Sequence, residues 1–242
     1  MTLLLDFLCR FGWGLSAALA VTSPAVVPGG FFRVNLLVVM GLATFAALLA
    51  ASAGVAGAWL PPAALAVVAW VGGIAWLGER RTVGRTACLI AAALGAVATI
   101  VTAGHAADPR AAAGAILSGL VTGLTVHAML LGHWYLNAPG MRVDALRRAI
   151  DHALMAWGAQ LVASLVVVGP QFAALTSRAD PTAPALVALR WLAGLVGLPV
   201  LLLMARRTLD IPNTQSATGI LYVACLAAIL GELTAQLLRA AS

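Results

Sequence analysis

The sequence predicts an all-α, polytopic integral membrane protein with about eight transmembrane helices. The first observation is composition: 62% of the 242 residues are hydrophobic and 9% are charged, whereas soluble domains are roughly half apolar and about 25% charged. The second is that the apolar residues form long continuous runs. The third is that prolines and glycines interrupt these runs at intervals. A soluble domain could not bury this much apolar surface, so we expect the bilayer to be the solvent.

The length of the apolar runs predicts helices rather than a barrel. In hydrocarbon every backbone N–H and C=O must be bonded within the protein. A helix needs about 20 apolar residues to span, whereas barrel strands alternate over segments of roughly 10 residues. Continuous runs of helical length are found at 4–24, 32–53, 57–78, 84–104, 111–136, 147–169, 184–206 and 214–238.

Helix-breaking residues stand between the predicted helices. Pro61 and Pro62 fall in the first turns of the third helix, where a missing N–H costs little. No connection is long enough for a soluble domain, so we expect one membrane domain over 1–242. Short similarities between loops are compatible with two tandem four-helix units, 1–106 and 107–242. The other breaks are Pro24, Pro28, Gly54, Gly57, Asp108-Pro109, Pro139-Gly140, Asp180-Pro181 and Pro212-Asn213.

The arginines predict the orientation. All 14 basic residues are arginine. Nine lie in the loops after helices 1, 3, 5 and 7, and four lie on the opposite side. Cytoplasmic loops carry the excess of positive charge. We therefore expect both termini on the non-cytoplasmic side of a bacterial inner membrane. Arginines scattered singly or in pairs at helix ends do not form a nucleic-acid-binding stripe.

Ionisable residues concentrate in the second half of the chain. Helices 1–4 are nearly free of them in their interiors. Such residues cost about 2.5–3.5 kcal/mol at the centre of a spanning helix, so they persist where they face a protein interior and have partners. We therefore expect function in helices 5–8, which carry His127, His133, His152, Arg190 and Glu232.

Two histidines are predicted at similar depth near the cytoplasmic side. His133 lies near the end of helix 5, and His152 near the start of helix 6. Imidazoles from facing helices can ligate a haem iron axially or bind and deprotonate a quinol. Tyr135, Asp151 and Gln215 would then supply hydrogen bonds or a proton route.

The structural alternative for this cluster is an ordinary set of helix ends. Trp134 and Tyr135 are of the type that anchors helices at the membrane interface. Asn213 or Thr214 would serve as the N-cap of helix 8.

His127 is expected to point elsewhere. It precedes His133 by six residues, which separates the two rings by about 120° around the helix. It shares a face with Gly123, which would let another helix approach closely. His127 is either a haem ligand or proton-relay member, or an interhelical hydrogen-bonding residue.

A second constellation is predicted nearer the opposite face. Arg190 and Glu232 lie at similar depths in helices 7 and 8, where opposite charges are expected to pair. The pair would fix the helix register or form part of a proton or ion pathway. A stripe on helix 8 is expected to face protein: Thr218, Tyr222, Cys225, Glu232 and Gln236.

The motifs leave three functional hypotheses open. No phosphate-binding loop, zinc-protease, c-type haem or serine-hydrolase motif occurs, and His105 is expected in a solvated turn. The preferred hypothesis is a membrane subunit of a redox system that binds quinone or haem b and works with other subunits. The alternatives are a small secondary transporter or exporter, and an assembly factor without its own ligand.

Overall fold

All regular secondary structure in the described part of the chain is helical. The computed structural model describes residues 2–54, 57–102, 108–138, 142–166, 183–211 and 213–240. Eight helices lie in these ranges: α1 Thr2–Val21, α2 Gly29–Ser52, α3 Leu60–Leu77, α4 Arg81–Thr102, α5 Pro109–Asn137, α6 Asp144–Val166, α7 183–208 and α8 Thr214–Ala240.

The helices match the eight predicted ones in order, with ends that differ by a few residues. Seven of those described are long and apolar enough to cross a membrane. The exception is α6, in which four of the first eight residues are charged. The protein is therefore an all-α polytopic membrane protein, and the predicted fold class is confirmed.

Local chemistry fixes the predicted turns. Pro109 occupies the first turn of α5, and the Asp108 side chain caps the helix by accepting a hydrogen bond from the Arg110 backbone N–H. Asn213 is the N-cap of α8, because its side-chain oxygen accepts from the Ser216 N–H at 3.0 Å. The predicted cap of α8 is confirmed, and Asp108 supplies a further cap at a position where only a turn was predicted.

Glycines bring α1 and α5 into backbone contact. A Cβ built on Gly14 would lie 1.8 Å from the Gly119 carbonyl oxygen, and one built on Gly123 would lie 2.1 Å from the Gly14 carbonyl carbon. Only glycine permits this approach. The predicted role of Gly123 is confirmed, and the first helix of the chain packs against the first helix of its second half.

The geometry of α7 departs from the predicted regular helix with a proline kink. The α-helix Ala183–Leu189 is followed by a π-helix, Arg190–Gly197, and then by the α-helix Leu198–Thr208. Pro199 offers no N–H to the Leu195 carbonyl four residues earlier, and the Trp157 side chain of α6 donates to that oxygen at 3.2 Å. A π-helix within an α-helix frequently marks a functional site.

Candidate functional site

A buried arginine of α1 is the centre of an ionic network. Arg10 is 1% exposed. Its Nε and Nη2 atoms contact the two carboxylate oxygens of Asp6 at 2.7 and 2.6 Å. Its Nη1 atom contacts Glu232 Oε1 and Ser118 Oγ, each at 3.0 Å. The network therefore joins α1 to α5 and α8 through one guanidinium group.

The network lies well inside the helices that carry it. Arg10 comes eight residues after the start of α1, and Glu232 eight residues before the end of α8, which places both about 12 Å along their helices. Gly119 lies against the Arg10 backbone carbonyl, and this close approach brings its neighbour Ser118 within hydrogen-bonding distance. A buried charge needs such a set of partners to be tolerated.

Sequence reasoning missed this arginine. Arg10 is one of the four arginines on the predicted non-cytoplasmic side, and the interiors of helices 1–4 were expected to be nearly free of ionisable residues. The available signal was the spacing of Asp6 and Arg10, which places opposite charges four residues apart on one helix face.

Glu232 has further polar neighbours in α8. The Gln236 side chain donates to its Oε1 atom at 2.8 Å, and Arg239 Nη2 lies 3.7 Å from the same oxygen. The other oxygen, Oε2, has no hydrogen-bond partner in the described residues. All described polar contacts of the Glu232 carboxylate are therefore made by Oε1.

The predicted pairing of Glu232 with Arg190 needs correction. The described ion pairs of Glu232 are with Arg10 and Arg239, whereas a described contact of Arg190 Nη2 is with Ser164 Oγ at 3.4 Å. The reason is the packing of α1 against α5 and α8, which brings a cation from outside the second half. Arg190 and Glu232 nevertheless line the same small cavity.

Two adjoining cavities lie beside this network. The larger, which we call the arginine cavity, has a volume of about 440 Å³ and is bordered by three arginines and Asp108. The smaller has a volume of about 10 Å³ and shares Ser118, Gln160 and Arg190 with the larger. Charged residues of the arginine cavity are Arg110, Arg190, Arg239 and Asp108.

His127 is buried at the contact between α5 and the end of α1. Its Nε2 atom is 2.9 Å from Thr22 Oγ1, and its ring packs edge-on against Phe31 of α2, with 5.3 Å between ring centroids. Its Nδ1 atom has no hydrogen-bond partner in the described residues. This geometry fits the interhelical hydrogen-bonding role that the sequence left open.

Replacing Thr22 by valine should leave both ring nitrogens of His127 without a described partner. We expect a loss of about 1–3 kcal/mol in the free energy of unfolding, because the imidazole stays buried. Thr44→Val is the control, since Thr44 is exposed and bonds only its own helix backbone. Detergent-unfolding titrations measure both variants, and equal losses would contradict the role of Thr22.

His133 and His152 have different neighbours. His133 is exposed, and its Nδ1 atom is 3.1 Å from the Tyr222 hydroxyl of α8. His152 lines a cavity of about 50 Å³ together with Thr22 and Arg148. The described contacts therefore place His152 near the partner of His127, and place His133 on the side of α5 that faces α8.

The stripe predicted on α8 is buried at four of its five positions. Tyr222 is the exception: it is 45% exposed. Although it is partly exposed, its hydroxyl contacts His133 of the neighbouring helix α5. The buried members are Thr218, Cys225, Glu232 and Gln236.

The remaining predicted site residues lie apart. The Tyr135 hydroxyl donates to the Arg142 carbonyl, which ties the end of α5 to the following loop. Asp151 Oδ1 pairs with Arg206 Nε of α7 at 2.6 Å, and Gln215 is exposed in the first turn of α8. The described contacts therefore do not bring these three side chains together.

Ligand donors for a metal do not gather in the described ranges. Within them no group of three or more His, Cys, Asp or Glu side chains is placed to hold a metal ion. Cys9, Cys88 and Cys225 are buried with free thiols. His105, predicted in a solvated turn, lies outside the described residues.

Comparisons with protein-family profiles, curated proteins and solved structures gave no match.

Proposed function

We propose that this protein is a small secondary transporter for an acidic solute, which binds in the arginine cavity. The observation that carries the proposal is the buried carboxylate of Glu232, one oxygen of which has no described partner, beside a cavity bordered by arginines. Membrane-embedded ionisable groups that border a cavity are typical of solute and ion pathways.

The charge and size of the arginine cavity favour a small acidic solute. Among the described residues that border it, three arginines outnumber one aspartate. Guanidinium groups bind carboxylate and phosphate through paired hydrogen bonds. A volume of about 440 Å³ falls in the usual range for small-molecule sites.

The π-helix of α7 supplies an element suited to conformational change. Arg190, Gly194 and Leu195 belong to it and line the small cavity. Gly194 packs directly on Gly231 of α8, since a Cβ on Gly231 would lie 2.6 Å from the Gly194 Cα. A small rotation of this segment would change the position of Arg190 relative to Glu232.

The orientation follows from the arginine distribution. We infer that all eight helices cross, α6 included, and that both termini face the non-cytoplasmic side of a bacterial inner membrane. The arginine cavity would then open toward that side, because it lies at the start of α5 and the end of α8. Alkaline phosphatase fused to the C-terminus should be active, and an inactive fusion would reverse the orientation.

Counterflow in proteoliposomes tests the transport proposal. Vesicles containing the full chain are preloaded with unlabelled solute, and entry of labelled L-glutamate, glutarate or putrescine is measured. We expect an acidic solute to exchange and the dication putrescine not to. Absence of exchange for both acidic solutes, or exchange of putrescine, would refute the proposal.

Variants of α7 provide a matched control for this assay. Arg190→Met removes a cation of the cavity, and the initial exchange rate should fall by at least about tenfold, as expected for the loss of a charged hydrogen bond. Arg207→Met removes an exposed cation at the opposite end of the same helix and should leave the rate unchanged.

A redox subunit is the second candidate function. It is favoured by His127, whose Nδ1 atom is buried and has no described partner, and by the approach of His152 to the same Thr22. In this alternative the imidazoles would bind haem b or a quinone, with other subunits completing the electron path. An absorption spectrum of the dithionite-reduced protein that lacks haem bands, together with an extract that contains no quinone, would refute it.

A further inference from the structure

The small cavity beside Glu232 is lined by hydrogen-bond acceptors. Glu232 Oε2 and Gln160 Oε1 are both buried and have no described partner. The buried residue Thr122 lines the same cavity and brings a hydroxyl oxygen. Unsatisfied buried acceptors are costly, so this site favours an occupant that donates hydrogen bonds.

The size of the small cavity restricts that occupant. A volume of about 10 Å³ corresponds to roughly one water-sized group. An ammonium group has this size and carries three N–H donors. Three acceptors of the lining, from Glu232, Gln160 and Thr122, match these three donors in number.

We infer that the transported acidic solute also carries one ammonium group, which binds in the small cavity while its acidic groups bind in the arginine cavity. This inference rests on the transport function proposed above. The two cavities share Ser118, Gln160 and Arg190, so the inferred solute would extend from one into the other beside these three residues. The substrate class is an amino dicarboxylate or a molecule of the same charge pattern.

A free metal cation fits the small cavity less well. Ca²⁺ and Mg²⁺ take about six or more oxygen ligands, whereas the described part of this lining offers side-chain oxygens from four residues, which are Ser118, Thr122, Gln160 and Glu232. Arg10 and Arg190 also flank these oxygens. These two guanidinium groups repel a divalent cation more strongly than the single charge of an ammonium group.

Three related solutes test the charge pattern. L-Glutamate has two carboxylates and an amine, glutarate lacks the amine, and 4-aminobutyrate lacks one carboxylate. We expect isothermal titration calorimetry of the purified full chain to show L-glutamate binding at least about tenfold more tightly than either analogue, the effect of one charged hydrogen-bonded group. Equal affinities for L-glutamate and glutarate would overturn the inference.

A variant at Gln160 separates the ammonium site from general damage. Gln160→Leu should weaken L-glutamate binding by about tenfold and leave glutarate binding unchanged. Gln215→Leu changes an exposed glutamine at the start of α8 and should alter neither. If Gln160→Leu weakened the binding of L-glutamate and glutarate equally, the inference would be overturned. It would also be overturned if sodium chloride alone stabilised the unsubstituted protein and Gln160→Leu abolished that stabilisation.

The counterflow assay keeps the two proposals distinguishable. If glutarate were exchanged as fast as L-glutamate, the ammonium site would be refuted, but transport of an acidic solute would still be supported. Absence of exchange for both would remove the transport function itself.

Discussion

Replacing Gly123 by alanine is expected to lower the free energy of unfolding by at least about 3 kcal/mol, the upper end of the range for overpacked interiors. The added Cβ would lie 2.1 Å from the carbonyl carbon of Gly14 and 2.3 Å from the Leu15 nitrogen. Both atoms belong to backbone, which cannot rotate away as a side chain can, so α1 and α5 would have to separate. Unfolding titrations in mixed detergent micelles measure the loss.

Gly41→Ala is the matched control for this experiment. Gly41 lies within α2, and a Cβ there meets no atom within 4 Å. The helix propensity of alanine should raise stability by up to about 1 kcal/mol. If Gly123→Ala were as stable as Gly41→Ala, the close contact between α1 and α5 would be refuted.

Replacing Arg10 by methionine should have a comparable effect for an electrostatic reason. The change leaves Asp6 and the buried Glu232 without their shared cation. Removing one partner of a buried ionic network costs about 3–5 kcal/mol, because the remaining charge stays uncompensated. The same unfolding titration measures this loss.

Two further variants test whether charge is the cause. Combining Arg10→Met with Asp6→Asn and Glu232→Gln should restore most of the stability, since the charge that then remains is that of Arg239, whose side chain is 40% exposed. Arg142→Met breaks an exposed pair with Asp144, and such pairs contribute at most about 1 kcal/mol. If the triple variant were as unstable as the single one, side-chain volume rather than charge would explain the effect.

The fold was predictable because it depends on local patterns. Apolar runs of spanning length, and turns in which a proline stands beside a capping residue, determine where helices begin and end. Pro109 and Asn213 illustrate this. The close approach at Gly123 was also predictable, because a glycine on the histidine face of α5 is a local signal. These features need no knowledge of which helix lies beside which.

The site was predicted less well, because it depends on contacts between distant helices. Glu232 contacts Arg10, 222 positions away in the sequence, and similar depth in neighbouring helices suggested Arg190 instead. The histidines showed the same limit: equal depth did not reveal that His133 contacts Tyr222 while His152 approaches Thr22. Depth in the membrane fixes only one coordinate of a side chain. Whether two side chains meet also depends on the direction in which each points from its helix axis.

The link between Arg10 and Glu232 has a consequence for biosynthesis. Chains emerge from the ribosome with the amino terminus first, so α1 can enter the bilayer long before α8 exists. During that interval the nearby Asp6 carboxylate, four residues away on the same helix, is the counterion that can accompany the guanidinium into the lipid. A nascent chain with Asp6→Asn would have to insert Arg10 without a counterion. Its insertion yield would then fall before any later helix could supply a carboxylate.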